Sequence, residues 1–341
     1  MGSLRWTVRR TEEDVIHGIT YSEEKQLFVA VGPDMVLTSR DAIAWQKYTV
    51  FTGHWSDVIY AHGLFVAVGS GRSSDGDVMT SPDGVNWTVR SVPSGASWSS
   101  ISYGNGIFVA VSNSSQAHKI ITSPDGINWT SRSSPLTFEP TPSVCFGAGL
   151  FVVVSPGYFS MYPPKVMTSP DGVNWTVRSV PNGGWRSVTY YNGVFVAVAF
   201  HDDLYHDPIY VMASNNGINW TVGNAPPGSW VSITAGNGIY TAVSGFPPYN
   251  IFSLDGINWA LTYSPSGSWG AVTYGAGIFV AASYSTTVYT PTIMTGLIVD
   301  GGIYVKQNGT AHSVPYAVAK VNGELTQCKT FVKQNGQIYQ I

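Results

Sequence analysis

Trp98-Ser-Ser-Ile-Ser-Tyr-Gly-Asn-Gly-Ile-Phe-Val-Ala-Val111, followed by Lys119-Ile-Ile-Thr-Ser-Pro-Asp-Gly-Ile-Asn-Trp-Thr130, decides the fold. Its first six residues read as a strand, with Trp98, Ser100 and Ser102 on one face and Ser99, Ile101 and Tyr103 on the other. Gly104-Asn105-Gly106 supplies positive-φ residues for a tight hairpin. Ile107–Val111 is apolar throughout, which predicts a strand covered on both faces. After a variable loop comes a third strand, Lys119–Thr122. In Ser123-Pro124-Asp125-Gly126, Pro presets the first corner of a type I turn, Asp suits the second, and Gly accepts the left-handed residue that follows. A fourth strand, Ile127–Thr130, places Trp129 against a neighbouring unit.

The unit recurs. Trp45, Trp87, Trp129, Trp175, Trp220 and Trp259 each close a copy, and a seventh tryptophan, in Trp6-Thr7-Val8-Arg9, has no turn before it. The F-V-A-V-like strand starts at Phe28, Phe65, Phe108, Phe151, Phe195, Tyr240 and Phe279, and the last copy has no tryptophan strand after it. A period near 40 residues built from four short strands is the signature of propeller blades. The expected fold is therefore all-β: a seven-bladed β-propeller closed by the N-terminal strand. Blades are expected near 14–49, 55–91, 98–132, 142–179, 185–223 and 230–262, the seventh combining 269–295 with Leu4–Arg9. Charged residues at 11%, with 37 Gly and 20 Pro, leave no uninterrupted amphipathic helix.

A net charge of −3 gives no electrostatic footprint for nucleic acid. No apolar run is long enough to insert in a membrane, and the N-terminal MGSLRWTV lacks the apolar core of a signal peptide. Cys145 and Cys328 stand in separate contexts without metal-ligand spacing, which argues against a disulfide framework. Folding in a reducing cytosol, or exit by a route other than a cleaved signal, is expected.

Ser81-Pro82-Asp83-Gly84-Val85-Asn86-Trp87 resembles a shortened Asp-box, the hairpin motif of sialidase-type propellers, with one residue fewer between Asp and Trp. Together with F-V-A-V, the repeat over residues 1–296 resembles propellers encoded in bacteriophage and prophage structural genes. Residues 297–341 carry Ile303-Tyr-Val-Lys-Gln-Asn-Gly309 and Phe331-Val-Lys-Gln-Asn-Gly336, with Val321-Asn-Gly-Glu324 between them. Short strands parted by Asn-Gly corners predict a small C-terminal β-module. It is similar to the V-K-x-N-G hairpin modules at the ends of phage tail and fibre proteins, which implies attachment or oligomerisation.

In a four-stranded blade, the loops between the second and third strands share a face with the connections between blades. Those loops vary here while the opposite hairpins are monotonous, as on a rigid scaffold carrying a binding surface. They offer Tyr158, Phe159, Met161 and Tyr162 before Pro163-Pro164, then Tyr205, then Phe246-Pro-Pro-Tyr249, and finally Tyr284 and Tyr289. Flat aromatics stiffened by proline can stack on sugar rings or anchor a protein partner; the other reading folds them back as satellite packing. His201-Asp202-Asp203-Leu-Tyr205-His206-Asp207 is the one dense polar cluster. Asp202, Asp203 and Asp207 could ligate a divalent cation, although the spacing matches no known cage and a solvated acidic loop is favoured.

Arg90, Arg132 and Arg178 follow the closing tryptophans at equivalent positions, which predicts a structural role spread around the ring. Glu139 is the single loop glutamate of the central blades, and a glycosidase needs a partner carboxylate at a set distance from it. No nucleophile-elbow, zinc-protease or phosphate-loop pattern occurs. The expected function is non-enzymatic, with no cofactor: a phage tail or receptor-binding component, folded in the bacterial cytoplasm and carried in the virion, whose loop face binds a host surface glycan or protein. Docking onto other virion subunits is the first alternative, and a sialidase-like glycoside hydrolase the second.

Overall fold

The computed structural model describes residues 3–12, 14–71, 78–93, 97–112, 118–135, 142–156, 165–200, 210–245, 249–284 and 292–299. Beyond these it describes strands 303–307, 310–314, 331–334 and 337–340. The chain divides into two compact units, Trp6–Leu297 and Met1–Arg5 with Ile298–Ile341. In the smaller unit Ile303–Gln307 pairs antiparallel with Thr310–Val314, and Phe331–Gln334 with Gln337–Gln340.

The larger unit is an all-β propeller, and its described residues contain no helix. Four sheets run inner to outer in chain order: they start at Trp98–Gly104, Ser143–Gly147, Trp185–Tyr191 and Trp230–Gly236, and end at Thr130–Ser133, Thr176–Arg178, Thr221–Val222 and Trp259–Tyr263. A fifth begins at Trp269–Gly275, passes through Ile278–Ser283 and Ile293–Val299, and takes Ser3–Arg10 as its outer strand. The second strands are mostly apolar and buried beyond their first residue, as expected of strands sandwiched between sheets. The corners after the inner strands carry paired positive φ at Asn105-Gly106, Ala148-Gly149, Asn192-Gly193, Asn237-Gly238 and Ala276-Gly277, the geometry that closes two-residue hairpins.

The sixth sheet corrects the expected count. Gly18–Ser22, Leu27–Ser39, Gln46–Ala61, Leu64–Gly71, Val78–Ser81 and Thr88–Arg90 form one six-stranded sheet, so the described residues of the larger unit make six sheets rather than seven separate four-stranded blades. The reason lies in the connections. Elsewhere the link between sheets is broken by Pro93, Pro181, Pro226-Pro227 or Pro265, whereas Thr49-Val-Phe-Thr-Gly-His-Trp55 has no proline and stays extended. Gln46–Ala61 therefore pairs with Leu27–Ser39 along its first part and with Leu64–Gly71 along its second. Leu27–Ser39 likewise runs through a bulge at Pro33-Asp34, where Asp34 has φ 57° and its Oδ1 accepts from the Gly53 N–H at 2.7 Å.

The ring is closed by the tryptophan strand of the N-terminus. Arg9 Nε donates to Thr295 Oγ1 at 2.8 Å, repeating Arg90 to Thr80, Arg132 to Thr122 and Arg178 to Thr168 at 2.9 Å. The Thr292 N–H donates to the Arg10 carbonyl at 2.8 Å. In five of the other copies the indole N–H caps its own turn, as Trp87 donates to the Gly84 carbonyl at 3.0 Å. Trp6 has no turn to cap. Its ring lies over Gly296, and its Nε1 stands 3.3 Å from the amide oxygen of buried Asn250 once that amide is turned to suit its neighbours.

The turns are tied as the backbone requires. Asp125 Oδ1 accepts from the N–H groups of Ile127 and Asn128, its Oδ2 from the Asn128 amide, and Ser123 Oγ from the Gly126 N–H. Those bonds, the Asn128 N–H first, hold the Asp125 carboxyl well below the usual carboxylate range. Trp129 packs with Val66, Val68 and Val78 of the preceding sheet, so this copy staples two sheets together.

Candidate binding site at the mouth of the ring

Seven inner strands touch in a closed cycle: Gly18–Ser22, the second part of Gln46–Ala61, Trp98–Gly104, Ser143–Gly147, Trp185–Tyr191, Trp230–Gly236 and Trp269–Gly275. The residues at their leading ends, with Phe200 and Tyr284 from the ends of second strands, line a cavity of about 660 Å³. This is the end from which the variable loops depart.

A repeated bulge shapes the cavity. In five inner strands the register slips after the tryptophan, between Trp55 and Asp57, Trp98 and Ser100, Trp185 and Ser187, Trp230 and Ser232, and Trp269 and Ala271. Strict alternation for Trp98–Tyr103 is therefore overturned. Trp98 and Ile101 are buried in one cluster, because the extra residue turns the strand by half its period. The five tryptophans are fully buried, and the bulged residue after each is aimed at the cavity.

The position after the bulge seals the joints between inner strands. Asp57 Oδ2 accepts from the Ile101 N–H at 3.0 Å and Ser100 Oγ from the Val144 N–H at 3.2 Å. Ser143, Ser187 and Ser232 accept in the same way from Val188, Ile233 and Val272 at 3.3–3.4 Å. The girdle is interrupted at Ala271 and at Gly18, where the Asp57 backbone passes too close to admit a Cβ.

The bulge position itself is chemically mixed: Ser56, Ser99, Arg186, Val231 and Gly270, with His17 and Pro142 at the corresponding places. Arg186 is half-buried, its guanidinium carbon 5.6 Å from the centre of the Phe200 ring. Desolvation works against its charge, and among the described residues no carboxylate pairs with it. Tyr284, 42% exposed, lies across Gly270 with its hydroxyl against Gly245, so a glycine at the seventh bulge position makes room for the ring. Desolvation, then the nearby His54, keeps the His17 pKa below its ordinary value. Burial raises the Asp57 carboxyl to about 6, although the N–H groups of Ile101 and Val58 hydrogen-bond it.

Of the aromatic residues expected from sequence, Tyr284 lines this cavity. Tyr249 does not: it is half-buried in the strand Tyr249–Ser253, edge-on to Tyr263 with ring centroids 5.6 Å apart. Tyr158, Phe159, Tyr162, Tyr205, Phe246 and Tyr289 lie outside the described residues, as do Asp202, Asp203 and Asp207. Sequence reasoning missed Arg186, Phe200, His17, His54 and Asp57. The signal was present in the residue after each inner tryptophan, which changes from copy to copy inside an otherwise constant strand.

No protein-family model matches the chain, and no curated protein matches it by sequence. Solved structures do match the fold. A streptogramin B lyase superposes with TM-score 0.71 at 11% identity, over 87% of this chain and 98% of that one. A catalytically inactive virginiamycin B lyase from Staphylococcus aureus, solved with quinupristin, gives 0.69 at 11%, over 88% and 100%. YCF48 bound to D1 peptide gives 0.62 at 13%, over 88% and 96%. At these identities the likeness shows the β-propeller fold alone.

Proposed function

We propose that this protein is a non-enzymatic binding component of a phage tail, with the loop face and axial mouth of the ring taking a host surface glycan or protein. The observation that carries the binding reading is the mouth cavity. One repeated position there holds seven chemically mixed residues on a girdle that is otherwise nearly uniform, and this is how a rigid scaffold varies its specificity. The phage setting rests on the resemblance of the S-P-D-G-x-N-W and V-K-Q-N-G repeats. In the same reading the ring is sevenfold, the six-stranded sheet standing for two blades fused where proline is missing, and the C-terminal hairpins attach or oligomerise the protein. A paired-carboxylate hydrolase needs a second acid, and among the described residues Asp57 is the one carboxylate lining the cavity.

Binding of the whole protein to host cells and to a glycan array tests the proposal. Replacing Tyr158, Tyr162, Phe246 and Tyr249 together with Ala is expected to weaken binding. Unchanged binding would remove these loops from the site, and absence of binding to both cells and array would sink the reading.

A further inference from the structure

Within the mouth cavity Arg186 stands apart. It is the sole Lys or Arg among the described lining residues, and its desolvation is opposed by Tyr284 and the Phe200 ring but, among the described residues, by no carboxylate. A half-buried, unpaired guanidinium is costly to keep unless something anionic visits it. Two exposed rings accompany it in the cavity wall, Phe200 at 41% and Tyr284 at 42% exposure. Phe200 is fixed by a backbone hydrogen bond from its N–H to the Gly184 carbonyl at 2.9 Å, and Tyr284 by one from its N–H to the Ser268 carbonyl at 3.0 Å. The backbones that carry both rings are thus tied to the scaffold before any ligand arrives. The cavity's carboxylate, Asp57, belongs to an inner strand three places from that of Arg186 around the cycle. It also spends both oxygens on the N–H groups of Val58 and Ile101.

A guanidinium supplies paired donors to a planar or tetrahedral oxyanion, and exposed aromatic faces suit the C–H face of a pyranose. We infer that the mouth binds an acidic saccharide, a sugar ring carrying a carboxylate or sulfate, with the anion on Arg186 and the ring against Phe200 and Tyr284. This rests on the binding reading above and names its ligand class.

Calorimetric titration of the full chain with a tetragalacturonate, a sulfated galactan tetrasaccharide and neutral maltotetraose tests it. At least one acidic probe is expected to bind at least tenfold more tightly than the neutral one. Arg186→Gln should abolish that preference, Arg186→Lys should restore part of it, and Phe200→Leu should weaken severalfold every acidic probe that binds. The carboxylated and sulfated arms distinguish the two sources of the anion. Because Arg186 has no carboxylate partner among the described residues, Arg186→Gln should melt no lower than the parent, which separates lost binding from lost folding. If that variant melts lower, Arg186→Lys must carry the preference on its own. Equal binding of neutral and acidic probes, indifference to Arg186→Gln, or no binding of any probe overturns the inference. Host-cell or array binding that persists in those cases leaves the broader binding function standing, and its loss would remove both.

Discussion

Asp57 occupies a place where four other inner strands use serine to accept the same kind of bond, and its extra charge has a consequence. Its folded pKa, about 6, lies above the ordinary 3.8, so the folded protein holds this proton to higher pH than the unfolded chain does. Stability from this group is therefore highest below about pH 4 and drains away as pH rises towards 6. The two-unit shift corresponds to at most about 3 kcal/mol, and water in the open cavity reduces it. Asp57→Asn keeps an acceptor for Ile101 without the charge. Its melting temperature relative to the parent should climb between pH 4 and 7, and a constant difference across that range would contradict the assignment. None of this was legible in the sequence, because a serine-to-aspartate change in one repeat looks like drift until the Ile101 N–H is seen to point at it.

Among the elements, the closing strand matters most. Trp6, Arg9 and Arg10 bring three attachments to a strand with no other neighbour of its own repeat. Arg10 reaches Asp14 at 2.6 Å, and Lys47 reaches the same carboxylate at 2.6 Å, so the residues leading into the first inner strand are clamped to the closure. Burial alone would raise the Asp14 pKa, but the bonds from Lys47 and Arg10 outweigh it and lower it. Removal of residues 1–10 exposes the edge of Ile293–Val299 and leaves Asp14 without Arg10. It should lower the melting temperature by on the order of 10 °C or more, by calorimetry, for a loss of several kcal/mol in a unit of this size. An unchanged transition would mean the strand is ornamental. This closure was readable beforehand from the orphan W-T-V-R and the missing partner of Phe279. The fusion of the first two expected blades was not, since a missing proline is a weak signal until the strands are seen to run on.

For the whole molecule, the boundary at Leu297 separates the propeller from the hairpins that follow. Every sheet of the larger unit is complete without residues 298–341 apart from the end of Ile293–Val299, so a chain ending at Val299 should fold. Its circular dichroism and cooperative melting are expected to match those of the full protein within a few degrees. A molten or aggregated product would show that the tail is part of the fold. If the tail attaches or oligomerises the protein as proposed, the shortened form should also sediment as a smaller species.

By itself the sequence determined the all-β repeat, the hairpin and S-P-D-G turns, and the N-terminal closure. Each of these follows from local backbone preferences repeated until they can mean one thing. The tertiary structure alone decided which side chains share the axial mouth. Residues at seven distant points of the chain meet there, and a bulge after each inner tryptophan overrides the alternation that a strand by itself would impose. Arg186, Phe200 and Tyr284 become neighbours of one cavity through ring closure and strand register, and neither can be read from the residues around them.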